Sequence, residues 1–187
     1  MCRSVFRLST SIIETVMVIR QCRPDEIPEM LAVINESAEA YRGVIPADCW
    51  KEPYMPEEEL RGEISAGVVF WCAETDGKIS GVMGIQHVED VSLIRHSYVR
   101  TAERGKGIGT ALLTRLMKET GRPVLMGTWE SATWAFRFYE RNGFTLLPRK
   151  DGWMLLRRYW NIPARQTETS VVLGDGKWCR ERGCERT

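Results

Sequence analysis

Residues 100–116, RTAERGKGIGTALLTRL, place three glycines at alternate positions, Gly105, Gly107 and Gly109, and run straight into a helical pattern. Glycine supplies positive φ angles and lets backbone come close to another molecule. Ala111, Leu112, Leu113, Leu116 and Met117 follow on one face, so the spacing predicts a helix over roughly 107–120. The residues before the loop, SLIRHSYV, read as a strand ending at Val99. A loop between a strand end and a helix start aims several free N–H groups at one point, where the helix dipole adds positive potential. Such a corner suits an anion, and phosphate is its usual occupant. Arg104 and Lys106 add charge. On these residues alone, a tight turn that merely lets the helix pack closely stays open.

Two common phosphate loops do not match. The nucleoside-triphosphate loop needs G-x-x-x-x-G-K-[ST], and the string is absent. The dinucleotide fingerprint G-x-G-x-x-G lacks its last glycine whether counted from Gly105 or Gly107, and it belongs to an early βαβ unit.

Outward from the loop, the chain reads as one domain. Residues 16–22 suggest a strand; Pro24, Asp25 and Glu26 open a helix whose apolar face is Ile27, Met30, Leu31, Ile34 and Ala38. Residues 41–55 hold two tyrosines, a tryptophan and two prolines and read as a structured loop; Pro56 starts a second helix. GVVFWCAE and KISGVMGIQHVE flank Thr75-Asp76-Gly77, a hairpin signal. PVLMGTWE reads as a strand and 131–142 as a helix ended by Gly143. FTLLP and GWMLLRRYW suggest a closing hairpin around Lys150-Asp151-Gly152. RQTETSVVL suggests an added edge strand, through which two copies could pair as a homodimer. Strands and helices alternate only in the second half, which predicts a mixed sheet. The division expected is an extension over 1–15, a single domain over 16–173 and a polar, mobile tail over 174–187.

Composition excludes several classes. The 187 residues are 43 % hydrophobic and 27 % charged, an ordinary globular mix, and the net charge of +1 argues against a nucleic-acid or membrane partner. No apolar run is long enough to span a bilayer, and the start does not read as a secretory signal. The six cysteines form no Cys-x-x-Cys pair and the two histidines lie far from Cys179 and Cys184, so reduced thiols in a cytoplasmic protein, and no metal, are expected.

The string Arg104-Gly105-Lys106-Gly107-Ile108-Gly109 has the form [Q/R]-x-x-G-x-[G/A], and WAFRFYERNGF follows at 134–144. The pair resembles the acyl-coenzyme A signature of the GNAT superfamily of N-acyltransferases, and the element order over about 17–160 is similar. The resemblance implies an α/β (α+β) fold: a central mixed sheet splayed like a V and flanked by about four helices. It also implies an acetyl-CoA-dependent N-acetyltransferase acting on a primary amine of a small molecule, peptide or protein by direct attack in a ternary complex. The pantetheine arm would enter the split and pair with the backbone of the Val99 strand, and the pyrophosphate would rest on N–H groups of Arg104 to Thr110. Tyr98, Arg100, Phe138, Ser131 and Thr133 are the further cofactor contacts implied. One departure is that Ser131, Ala132 and Thr133 stand where many members have an asparagine, so Ser131 or Thr133 is expected to cap that helix.

Acyl transfer from a thioester needs a neutral amine, a polarised carbonyl and a protonated leaving thiolate. The resemblance makes Tyr139 the proton donor; its bland alternative is a core aromatic beside Phe136 and Phe138. The N–H of Val99 is the expected polariser. His96 and Glu130 are candidate bases, each with a structural alternative. Strand alternation puts Arg95, Ser97 and Val99 on one face and His96 with Tyr98 on the other, unless a bulge swaps them. Tyr41, Trp50 and Tyr54 are the expected acceptor wall, and Trp71, Trp129 and Trp134 are expected in the core. A non-catalytic acyl-CoA-binding module is the alternative function.

Overall fold

The computed structural model describes residues 17–184, so the extension expected over 1–15 lies outside the described residues. Seven strands form one sheet in the order β1-β2-β3-β4-β5-β7-β6. In chain order these are β1 (Met17–Gln21), β2 (Val69–Thr75), β3 (Lys78–Val88), β4 (Val91–Val99), β5 (Val124–Trp129), β6 (Thr145–Leu146) and β7 (Ser170–Gly174). The helices are α1 (Ile27–Ala38), α2 (Glu57–Ser65), α3 (Ile108–Lys118), α4 (Thr133–Arg141), α5 (Arg149–Tyr159), α6 (Ala164–Glu168) and α7 (Gly176–Arg182). The fold is the mixed, splayed α/β sheet that the resemblance implies, with more helices than the four expected.

At the hairpin between β2 and β3, Asp76 and Gly77 both take positive φ, as a two-residue turn between paired strands requires, and Thr75 pairs with Lys78. Helix α1 buries Ile27, Met30, Val33, Ile34 and Ala38 against Phe70, Cys72 and Val82 on one sheet face. Helix α3 buries Ile108, Leu112, Leu113 and Leu116 on the other face, against Trp71, Met83 and Met126, and α4 adds Tyr139 there.

The sheet is not uniform. Strands β4 and β5 are its one parallel pair among the described residues, and they pair only from Ser92↔Val124 to Ile94↔Met126. Beyond that point β5 stays paired with β7 as far as Trp129, and β4 stays paired with β3 as far as Val99. The two strands therefore part between Arg95–Val99 and Gly127–Trp129, and a V opens.

The C-terminal third departs from the expectation. Residues 149–159 form helix α5 instead of a hairpin strand: Pro148 stands at its N-cap, and Leu156 and Tyr159 face Leu93, Leu125 and Val172. At Gly152 the helix faces Val172 of β7, where even a Cβ would stand at ordinary van der Waals distance. Strand β7 is interior, between β5 and β6, so the edge through which dimerisation was expected does not exist at that strand. The tail is ordered over 176–182 as α7. Asp175 caps it, its side chain accepting from Trp178 N–H at 2.8 Å and from Val124 N–H at 3.1 Å, and Trp178 is buried against Gly174.

Candidate active site

The split opens into a cleft of about 340 Å³. One wall is β4, from Ile94 to Val99; the other is β5, from Met126 to Trp129. Arg100 donates its backbone N–H to Ser80 O at 2.9 Å. In an antiparallel ladder neighbouring residues alternate between facing the partner strand and facing away. Val99, paired with Gly81, therefore turns its N–H and C=O away from β3 and into the split.

At the mouth, Gly105 and Gly107 take φ of +79° and +82°. Gly107 is the N-cap of α3, and the first bond of that helix runs from Ala111 N–H to Gly107 O. The N–H groups of Ile108, Gly109 and Thr110 thus have no intrahelical acceptor. Gly109 lies close to Phe138, 3.3 Å from where its Cβ would stand, which draws α3 and α4 together at the cleft.

The nearby cations are already engaged. Arg100 pairs with Glu36 at 2.6 Å and donates to Ile79 O; Lys106 pairs with Glu103 at 2.9 Å. Arg104 lines the cleft but donates to Ser37 O at 3.0 Å and to Val99 O at 3.4 Å. The groups of this corner without an internal partner are main-chain amides. Ser131 and Thr133 do not cap α4; Ala132 is its N-cap and no side chain bonds there. Both are exposed and absent from the cleft lining.

Tyr139 projects from α4 into the cleft and is 3 % exposed. Phe138 and Phe144 meet its ring edge to face, at 4.9 and 5.5 Å between centroids. Its hydroxyl is sealed from solvent and makes no well-formed hydrogen bond among the described residues, although Ser97 lies beside it. Burial pushes this phenol up to about 12, and Ser97 holds it back slightly.

Strand β4 carries a bulge at this level. Val82 pairs with Tyr98 and Gly84 with Arg95, so His96 and Ser97 together oppose Met83. His96 takes φ of +51°, rare for a residue with a Cβ. Its ring stacks on Phe70 at 5.7 Å, and Arg95 bonds Glu63 on α2. Arg95 and His96 therefore share the α2 side, whereas simple alternation would separate them. Ser97 is on the Tyr139 side, and Tyr98 packs edge-on to Tyr41 and Tyr54, both at 6.5 Å.

The acceptor end is aromatic. Tyr41 and Tyr54 stack at 5.9 Å, and the indole of Trp129 donates to Tyr54 Oη at 3.3 Å. Burial drives the phenols of Tyr41 and Tyr98 upward. Trp50 supports the wall from behind, against Tyr54 and under the Arg42 guanidinium, and does not line the cleft. Trp134, expected in the core, is 42 % exposed and does line it. The Lys51–Glu59 ion pair also faces the cleft. Trp160, Ile162, Gln166 and Ser170 close the far side; Trp160, Gln166 and Ser170 fall in runs that the sequence suggests as strands, and no local pattern links any of the four to the site. Glu130 is not in the cleft. It follows β5 on the exterior, exposed and paired with Arg149 at 2.7 Å.

Comparison with known proteins fits this geometry. Residues 66–146 match the model of the acetyltransferase (GNAT) domain family. That span runs from the end of α2 through the bulge, the glycine corner and α4 to β6. No curated protein matches the chain in sequence. Among solved structures, the PaiA N-acetyltransferase of Thermoplasma acidophilum in complex with coenzyme A superposes with a TM-score of 0.64 at 19 % identity, over 86 % of this chain and 98 % of that one. A GNAT-family acetyltransferase of Staphylococcus aureus Mu50 gives 0.65 at 18 %, over 86 % and 98 %. The N-acetylglutamate synthase of Neisseria gonorrhoeae complexed with coenzyme A and N-acetyl-glutamate gives 0.59 at 20 %, over 87 % of this chain and 35 % of that one. At these identities the likeness is one of fold. Residues 66–146, with the glycine corner, are thus similar to the GNAT acetyltransferase domain, and the split sheet around them has the fold of these acetyltransferase structures.

Proposed function

We propose that this protein transfers an acetyl group from acetyl-CoA to a primary amine by direct attack within a ternary complex. The observation that carries the reading is the β4–β5 split, with the Val99 N–H turned into it and the Tyr139 hydroxyl buried inside it without a well-formed bond. A sealed, unbonded hydroxyl costs about 1–3 kcal/mol, a cost that a bound partner would remove.

The residues fit coenzyme A. The main-chain amides of Gly105 to Thr110 offer donors to a diphosphate, and the free β4 edge offers donors and acceptors to an extended amide chain. Acetyl-CoA supplies an acyl thioester when bound. Val99 N–H polarises the carbonyl, Tyr139 gives a proton to the departing sulfur, and the aromatic walls exclude water. Holding both reactants in line itself supplies a large part of the rate, with effective molarities of about 10⁵ M or more. The acceptor amine is placed against Tyr41 and Tyr54, below the Lys51–Glu59 pair.

Calorimetric titration with acetyl-CoA, run beside a thiol-release screen over a panel of amines, tests the reading. Saturable binding with amine-dependent thiol release is the expected result. Binding without release for every amine would identify a non-catalytic acyl-CoA module. Absence of binding at millimolar cofactor would overturn both.

A further inference from the structure

Beside the cleft, on the α2 side of β4, lies a cluster that the reaction outlined above does not use. Glu63 projects from α2 and is largely buried. Arg95 NH2 lies 2.9 Å from both of its oxygens, but the hydrogen bond goes to Oε1. Arg95 NH1 donates to Gln86. Glu63 Oε2 is left sealed from solvent with no hydrogen bond, 3.3 Å from His96 Nε2, which is equally sealed and equally without one. His96 itself lines the cleft and is held by the bulge and by its stack on Phe70.

We propose that Glu63 is a positioning residue: it accepts the Nε2–H of His96 and so fixes the tautomer in which Nδ1, the ring nitrogen that does not face Glu63, is bare and can take a proton from the acceptor amine. The inference rests on the acetyl-transfer reading. A neutral imidazole carries one N–H, and which nitrogen holds it is set by the partner of the other. A carboxylate can only accept, so Nε2 must donate. Burial raises the Glu63 carboxyl, but His96 and Arg95 outweigh it and hold it below the usual range. Arg95 balances that charge, so the pair is a buried network and not an isolated anion.

The proton account closes. As the nitrogen–carbon bond forms, the amine proton passes to His96 Nδ1. As the carbon–sulfur bond breaks, the sulfur takes the Tyr139 proton. The imidazolium then gives its proton to solvent, and the Tyr139 oxygen recovers one from water admitted as the products leave. Glu63 stabilises the imidazolium that exists in between. The backbone at His96, at positive φ, holds the ring on the α2 side, where Glu63 can reach it.

The test is nitrogen NMR on the full-length, isotope-labelled protein. It contains only two histidines, His87 and His96, and His96→Gln assigns the signals. The wild type should show His96 protonated at Nε2 and bare at Nδ1; the opposite tautomer would overturn the proposal without any variant. Glu63→Gln makes a sharper prediction. Arg95 has only donors, so it will take the amide oxygen and turn the amide NH₂ toward His96. Nε2 must then accept, and the proton moves to Nδ1. The tautomer should invert and turnover fall at least tenfold, with the KM for acetyl-CoA within twofold. A fall in turnover with the tautomer unchanged, or an inverted tautomer with turnover intact, overturns the proposal. If the variant does not fold, the wild-type tautomer decides. Failure of the acetyl-transfer reading is seen separately, as absent acetyl-CoA binding in the wild type.

Discussion

Replacing Tyr139 with phenylalanine should move stability and turnover in opposite directions. The ring sits in edge-to-face contact with Phe138 and Phe144, and phenylalanine keeps both contacts. Only the hydroxyl is lost, and that group is sealed without a well-formed bond. An unsatisfied buried hydroxyl costs about 1–3 kcal/mol, part of which Ser97 already offsets, so the variant should be as stable as the wild type or up to about 1 kcal/mol more so. For a chain of this size that is at most about 2–4 °C in Tm. Turnover should fall by about 10²–10⁴, because proton donation to the leaving sulfur is gone; that corresponds to about 3–5 kcal/mol of barrier. Binding of acetyl-CoA should change little. The phenol also has an alkaline signature. Its folded value of about 12 lies above the ordinary 10.0. The stability it contributes is therefore complete below pH 10 and is lost as the pH rises toward 12. Two units amount to about 3 kcal/mol. Tyr139→Phe should accordingly unfold less readily than the wild type across that window. Thermal unfolding, thiol release and tyrosinate absorbance read the three effects. A loss of more than about 1 kcal/mol in stability would mean the hydroxyl is well bonded in the native state. Turnover within threefold of wild type would mean Tyr139 is not the acid.

Gly107→Ala introduces a Cβ that meets nothing in the protein, at a φ of +82°. It should cost about 1 kcal/mol of stability through backbone strain. A much larger effect, at least tenfold in acetyl-CoA affinity by calorimetry, is expected if, as proposed, the cofactor diphosphate fills that space. Glu130→Gln should leave thiol release within twofold, since the side chain is outside the cleft and its exposed pair with Arg149 is worth about 0–1 kcal/mol; a tenfold loss would return Glu130 to the reaction. Trp178→Ala should destabilise by about 3–5 kcal/mol in chemical denaturation, because that indole is buried on Gly174. An unchanged midpoint would mean that α7 contributes nothing to the folded domain.

The parts of the site legible in the sequence are those built from neighbours in the chain. The glycine corner, α3, β5 and α4 each rest on a local pattern: glycines before a 3.6-residue apolar repeat, an apolar run, and an aromatic helix stopped by Gly143. What was not legible depends on contacts distant in sequence. GWMLLRRYW alone is as apolar as a strand; it is helical because Leu156 and Tyr159 find a seat on Leu125 and Val172. Likewise TSVVL could not announce that it enters the sheet between β5 and β6. Trp160, Ile162 and Gln166, and with them the far wall of the cleft, depend on that packing.

The bulge links the split sheet to the Glu63–His96 pair. The β4–β5 pairing ends at Ile94↔Met126, and the register of β4 breaks within the next three residues, where His96 turns to positive φ. A bulge bends its strand and increases the local twist. One extra residue thus carries β4 away from β5, which opens the slot. It also keeps Val99 N–H pointing into that slot, and it swings His96 to the same side as Arg95, facing Glu63. Nothing in the letters RHSYV marks this, since histidine is only modestly tolerant of the left-handed region. The strain of about 1–2 kcal/mol at this position is held in place by Phe70, Glu63 and the β3 ladder. Opening the sheet and setting the orientation of His96 are therefore a single backbone event, and a substitution that regularised β4 would remove both together.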